Sequence, residues 1–161
     1  MNRINSFPPI VDEQSEILIL GSVPGVKSLE MQQYYAHPQN QFWKIMFHLF
    51  DKPFSLDYQE RIELLKENKI ALWDVIESCE RKGSLDTEIK NEIDNNIPQL
   101  IENYPNIKII FCNGQKSYKN LIKILGKNFK IPIEVLPSTS PLHTVKFEEK
   151  LLSWLKIKTK Q

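Results

Sequence analysis

Apolar residues in this chain gather in four short runs closed by turn residues, with little alternation against polar ones. EILILG (Glu16 to Gly21), KIALWDVI (Lys69 to Ile76), NIKIIFCNG (Asn106 to Gly114) and KIPIEVLPS (Lys130 to Ser138) all have this form. Runs of that length suit strands covered on both faces. Between them the apolar positions move to helical spacing: Phe42, Ile45, Met46 and Leu49, then Ile62 and Leu65, then Leu121, Ile122 and Leu125, and finally Leu151, Leu152 and Leu155. Strands alternating with helices predict an α/β fold with parallel pairing, right-handed crossovers and helices on both faces of the sheet. A length of 161 residues suits one domain over 1–161.

In such sheets ligands bind beyond the carboxyl ends of the strands, so the strand exits are the informative places. They read GSVPG, WDVIESC, FCNGQ and LPSTSPLH. GSVPG lacks the GxGxxG spacing, and Pro24 removes an amide that a pyrophosphate would need, so a dinucleotide site is excluded. The stretch GSVPGVKSLEMQQYYAHPQNQFW has neither a helical nor a strand period, and long aperiodic loops in compact domains are functional or disordered. Its adjacent Tyr34 and Tyr35 offer flat π faces to a planar ligand or pack as a lid on the core. Asn40 stands where it caps the helix opening at Phe42, or aims its amide into a cleft. Asp74 either caps the polar segment that follows or accepts a hydrogen bond from a ligand N–H. Asn113 belongs to a turn dipeptide or contributes an amide. Ser138, Thr139 and Ser140 precede a helix expected near Val145. They serve as its cap or, with the loop's backbone amides, hold a phosphodiester. Leu142 and His143 would form an exposed tip, with Leu142 able to wedge into a base stack. Glu77 to Ile89 reads as an irregular polar excursion near the same edge.

Charge and cysteines narrow the classes. The 21 Lys+Arg and 20 Asp+Glu leave a net charge of +1, so any contact with a polyanion must be local. Lys27, Lys116 and Lys146 are the candidates. Cys79 and Cys112 cannot build a four-thiolate metal or iron–sulfur site, and no metal or other cofactor is expected. No apolar run reaches membrane-spanning length, so a cytoplasmic protein with no membrane partner is expected, nucleoid-associated if prokaryotic. Of the histidines, His37 suits a structural hydrogen bond beside Pro38, and His48 suits a core position on an apolar helix face.

ILILGSVPG, YYAHPQNQFWKIM, ALWDVIESCERKGSLD, IFCNGQKSY and LPSTSPLH together resemble the uracil-DNA glycosylase superfamily and, within it, the hypoxanthine-DNA glycosylase branch. The resemblance implies a three-layer α/β/α sandwich with a central four-stranded parallel sheet and a cleft for a flipped base. It implies cleavage of the N-glycosidic bond without metal or lysine Schiff base, by a monomer acting on DNA that contains deaminated bases. Two positions depart from the best-known uracil enzymes: Ser22 stands where they have an Asp, and Leu136 where they have a His. In the hypoxanthine branch the essential amide is that of HPxNxFW, which maps to Asn40. The implied roles are catalysis by Asn40 and the Ser22 region, base binding by Tyr35, Asp74, Asn113 and Val23, and DNA contact by Ser138, Thr139, Ser140, Leu142 and His143. Uracil or xanthine excision is the alternative within the class. A binding module that kept the pocket and lost the chemistry is the alternative outside it.

Overall fold

The computed structural model describes residues 3–160. In chain order the elements are β1 (Arg3–Asn5), β2 (Ile17–Gly21), α1 (Val26–Met31), α2 (Phe42–Leu49), α3 (Tyr58–Glu67), β3 (Ile70–Asp74), β4 (Ile76–Glu80), a 3-10 turn at Asp86–Glu88, β5 (Lys90–Asp94), α4 (Ile97–Asn103), β6 (Ile109–Asn113), α5 (Gln115–Leu125), β7 (Ile133–Leu136), α6 (Phe147–Trp154) and α7 (Lys156–Thr159). The four apolar runs supply β2, β3, β6 and β7, which pair in parallel in the order β3-β2-β6-β7. Every residue of β2 and β6 is buried, as strands without alternation require. Successive side chains still point to opposite faces. Ile17 and Ile19 therefore join a core layer with α2, α3, α6 and α7, while Leu18 and Leu20 join one with α4 and α5. This is the expected sandwich.

The register sets the site. Gly21 lies opposite Asp74, Leu20 opposite Cys112, and Asn113 opposite Leu136, so the four strands end on one row.

Three expectations need correction. The run Lys69 to Ile76 is not one strand, and the excursion after it is not wholly irregular. At Val75 the chain leaves the parallel sheet, and β4 pairs antiparallel with β1 and β5 in a second sheet. Side chains at the turn-off explain it, because Asn95 donates through its Nδ2 to the Asp74 carbonyl and through its backbone N–H to the Val75 carbonyl. β5 carries KNEID, mostly exposed, and so shows no apolar period. His48 is exposed rather than in the core. On α2 the buried set is Phe42, Trp43, Ile45, Met46, Phe47 and Leu49, which leaves Lys44 and His48, four residues apart, on the solvent side.

Candidate functional site

The strand exits open into a cavity of about 790 Å³. Its floor is made by the close approach of three residues. A Cβ on Gly21 would lie 2.6 Å from Asp74 Oδ1 and 2.7 Å from Tyr35 Oη, so only glycine leaves room for the carboxyl and the phenol to converge there. Asp74 is 4 % exposed, and its Oδ2 has no hydrogen-bond partner among the described residues. Tyr35 Oη is likewise buried and unpartnered. Buried polar atoms are nearly always satisfied, so the unpartnered oxygens of Asp74 and Tyr35, both residues that line the cavity, stand out. Burial, and next the negative charge of Asp86, push the Asp74 carboxyl up to about 7, with Arg81 opposing. Burial also raises the Tyr35 phenol above its ordinary range.

Tyr35 is held in an unusual backbone state, with φ at 52°. The left-handed region is costly for a bulky side chain and persists where the surroundings enforce it. The enforcement here is a stack on Phe42, centroids 4.3 Å apart and planes 27° from parallel. Its neighbour Tyr34 is a core residue instead, 4 % exposed, donating its hydroxyl to the Pro8 carbonyl at 2.7 Å. Tyr34 is thus committed to the core, while Tyr35 brings its hydroxyl to the cavity floor.

Asn40 caps and lines the cavity together. Its Oδ1 accepts the Phe42 N–H at 2.9 Å at the start of α2, and its side chain stands on the cavity wall. The adjacent Gln41 N–H reaches the Thr139 carbonyl at 3.0 Å, tying this loop to the fourth exit. His37 makes the structural bond expected of it, its Nδ1 accepting the Gln39 N–H at 3.0 Å.

The third and fourth exits are clamped to each other. Asn113 donates through Nδ2 to Thr139 Oγ1 and accepts the Thr139 N–H on Oδ1, both at 3.0 Å. Thr139 is fully buried, so its hydroxyl is spent on this clamp and is not offered to DNA. Ser138 Oγ accepts the Ser140 N–H and Ser140 Oγ accepts the Leu142 N–H, each at 3.1 Å. These hydroxyls shape the loop's own turn. At its tip Leu142 is 55 % exposed, and His143 borders the cavity beside it. Below the turn lies Lys150, 1 % exposed, whose ammonium donates to the His143 carbonyl at 2.7 Å and the Ser140 carbonyl at 3.4 Å. The following helix begins at Phe147, two residues later than expected.

Ser22 and Val23 line the cavity at the first exit. Ser22 Oγ donates to Asp86 Oδ1 at 2.9 Å, bringing a carboxylate from the polar excursion to the rim. Asp86, Ser84, Arg81 and Lys150 were missed by sequence reasoning. The excursion has no period to place it, and one lysine in a helical pattern looks like any solvated charge.

The basic candidates separate. Lys27 borders the cavity and carries an exposed pair with Glu30 at 3.6 Å. Lys116 borders the cavity and is paired with Glu92 at 2.8 Å, which offsets its charge. Lys146 is exposed. Among the described residues no group of three or more His, Cys, Asp or Glu could hold a metal ion, and no helix is long and apolar enough to cross a membrane. Both cysteines are free and buried.

Comparison with known proteins agrees with this architecture. The family model for the uracil DNA glycosylase superfamily matches residues 8–159. The chain is 44% identical over 128 residues to a protein from Methanosarcina barkeri named hypoxanthine DNA glycosylase, covering 78% of this chain and 81% of that one. It is 39% identical over 137 residues to a protein of the same name from Methanosarcina acetivorans, covering 83% and 84%. A solution NMR structure of a proposed uracil DNA glycosylase from Methanosarcina acetivorans superposes with a TM-score of 0.79 at 34% identity, covering 98% of this chain and 99% of that one.

Proposed function

The chain belongs to the uracil DNA glycosylase superfamily, and from that premise we propose that it removes hypoxanthine from DNA by hydrolysing the N-glycosidic bond of deoxyinosine. The observation that carries the choice of guest is the pair of unpartnered atoms on the cavity floor, Asp74 Oδ2 and Tyr35 Oη. A deaminated purine presents N1–H beside O6, a donor next to an acceptor. An ionised Asp74 accepts the N–H, and a Tyr35 hydroxyl donates to the carbonyl. Adenine presents the reverse order on that edge and sets its N1 lone pair against the Asp74 carboxylate, an acceptor against an acceptor. Uracil and xanthine share the donor-beside-acceptor edge. The preference for hypoxanthine among the three is supported by the relatives at 44% and 39% identity.

A stacked base is out of reach of any such floor, so it must be everted at a cost of roughly a few kcal/mol. Leu142, exposed on a stiffened turn at the cavity mouth, is placed to fill the vacated stack. The base then enters the cavity against Tyr35. Breaking C1′–N9 leaves positive charge on the sugar and negative charge on the purine, and the floor's hydrogen bonds favour the latter. Asn40 holds water toward C1′. An amide takes no proton near neutral pH, so its contribution is orientation.

Duplexes carrying deoxyinosine, deoxyuridine or deoxyxanthosine, incubated with the protein and then treated with alkali, test this directly. Strand breaks at all three, fastest at deoxyinosine, are expected, and Asn40→Ala should slow them about 100-fold or more. Binding to the lesion without any abasic product would mean a module that has kept the pocket and lost the chemistry.

A further inference from the structure

Hydrolysis at C1′ needs a proton acceptor for the attacking water, and the first exit, which carries Ser22, does not itself supply one. We infer that Asp86, held by Ser22, is the catalytic carboxylate of this site. This rests on the glycosylase reading above.

The placement of Asp86 is built rather than incidental. Three contacts dock its segment onto the first exit: Ser22 Oγ to Asp86 Oδ1 at 2.9 Å, the Val26 N–H to Ser84 Oγ at 3.0 Å, and Arg81 Nη2 to the Pro24 carbonyl at 2.6 Å. Arg81 is 6 % exposed and also donates through Nε to the Gly83 carbonyl, so it braces the turn that delivers Asp86.

Depth assigns the role. The floor groups Asp74 and Asn113 are buried, whereas Asp86 is exposed and Ser22 and Asn40 are half-buried. An everted nucleoside enters base first while its sugar stays tied to the backbone at the mouth. The base edge therefore meets Asp74, and C1′ comes to rest at the level of Asp86, Ser22 and Asn40. The two wall groups are complementary. Asn40 has its Oδ1 engaged by the Phe42 N–H and offers its NH₂ to a water oxygen. Asp86 offers what an amide cannot, a base and a negative charge beside the developing cation.

In the resulting step the C1′–N9 bond breaks with its electron pair going to the purine. The water oxygen bonds C1′, the water proton passes to the Asp86 carboxylate, and the purine anion takes a proton from solvent. No oxidant, metal or further reactant is required.

The decisive variant is Asp86→Asn, because an amide oxygen still accepts the Ser22 hydroxyl while the charge and the proton acceptor are gone. Single-turnover excision of hypoxanthine should fall about 100-fold, with affinity for the lesion duplex and melting temperature near wild type. Ser22→Ala should cost about 10-fold by loosening Asp86, and adding it to Asp86→Asn should cost little more, since both act on one group. An Asp86→Asn protein within about threefold of wild type, or losses that simply multiply in the double variant, would overturn the assignment. A wild-type protein that releases no base from any lesion defeats the glycosylase reading as well. An active wild type with an unimpaired Asp86→Asn defeats only the role of Asp86.

Discussion

Asp74 shows how one residue type acquires different chemistry from its surroundings. An aspartate at a strand exit looked equally suited to capping and to ligand binding, and its carboxyl is pushed up to about 7 by burial and then by Asp86. The folded form thus holds its proton through a pH window in which the unfolded chain, at about 4, has lost it. Between those values the native state binds more protons, so stability falls as pH rises from about 4 to about 7 and levels off above. Asp74→Asn lacks that titration. Its melting temperature should pull ahead of wild type progressively across the same window, and a gap constant with pH would mean an ordinary carboxyl. Tyr35 teaches the same lesson through the backbone, because no sequence pattern announces a left-handed tyrosine stacked on Phe42.

At the scale of elements, the turn at the fourth exit is worked from below by α6. Lys150 is buried with its ammonium on the Ser140 and His143 carbonyls, and burial holds its pKa below the ordinary lysine range. Lys150→Met keeps the length of the side chain and strands the His143 carbonyl, at a cost of roughly 1–3 kcal/mol, while the Ser140 carbonyl keeps the His143 N–H. Besides the lower melting temperature, excision from duplex should fall about 10-fold while excision from single strands, which need no wedge, is spared. Equal losses on the two substrates would show that the turn does not act through extrusion. The strands and main helices were legible because each buries a stretch with its own period. β4 and β5 were not, since polar KNEID forms an edge strand through main-chain pairing and polar side-chain contacts, such as Glu92 with Lys116 and Asn120, rather than through an apolar face.

At the scale of the whole molecule, a net charge of +1 leaves DNA binding to a few local contacts, and the pairing of Lys116 with Glu92 offsets the charge of one of the expected ones. Each phosphate neutralised contributes about −0.9 to the slope of log affinity against log salt. Fluorescence anisotropy across a salt titration should give a slope no steeper than about −4. A much steeper value would reveal a basic surface that the sequence and the exposed lysines do not suggest. Recognition must then come chiefly from eversion into the cavity, and discrimination between lesion and normal duplex should persist at high salt.

By itself the sequence determined the parallel sheet, the presence of helices on both its faces and the four exits where chemistry gathers, because apolar periodicity is a local consequence of which faces must be buried. It also carried Asn40 and Tyr35, whose motif is contiguous. Only the tertiary structure decided that Asp74 Oδ1 and Tyr35 Oη converge over Gly21, that Thr139 is spent on Asn113, and that Asp86 arrives at Ser22 from 64 residues away. Those are meetings between segments with no common period, and the burial that shifts a carboxyl or orphans a hydroxyl exists only once the segments have met.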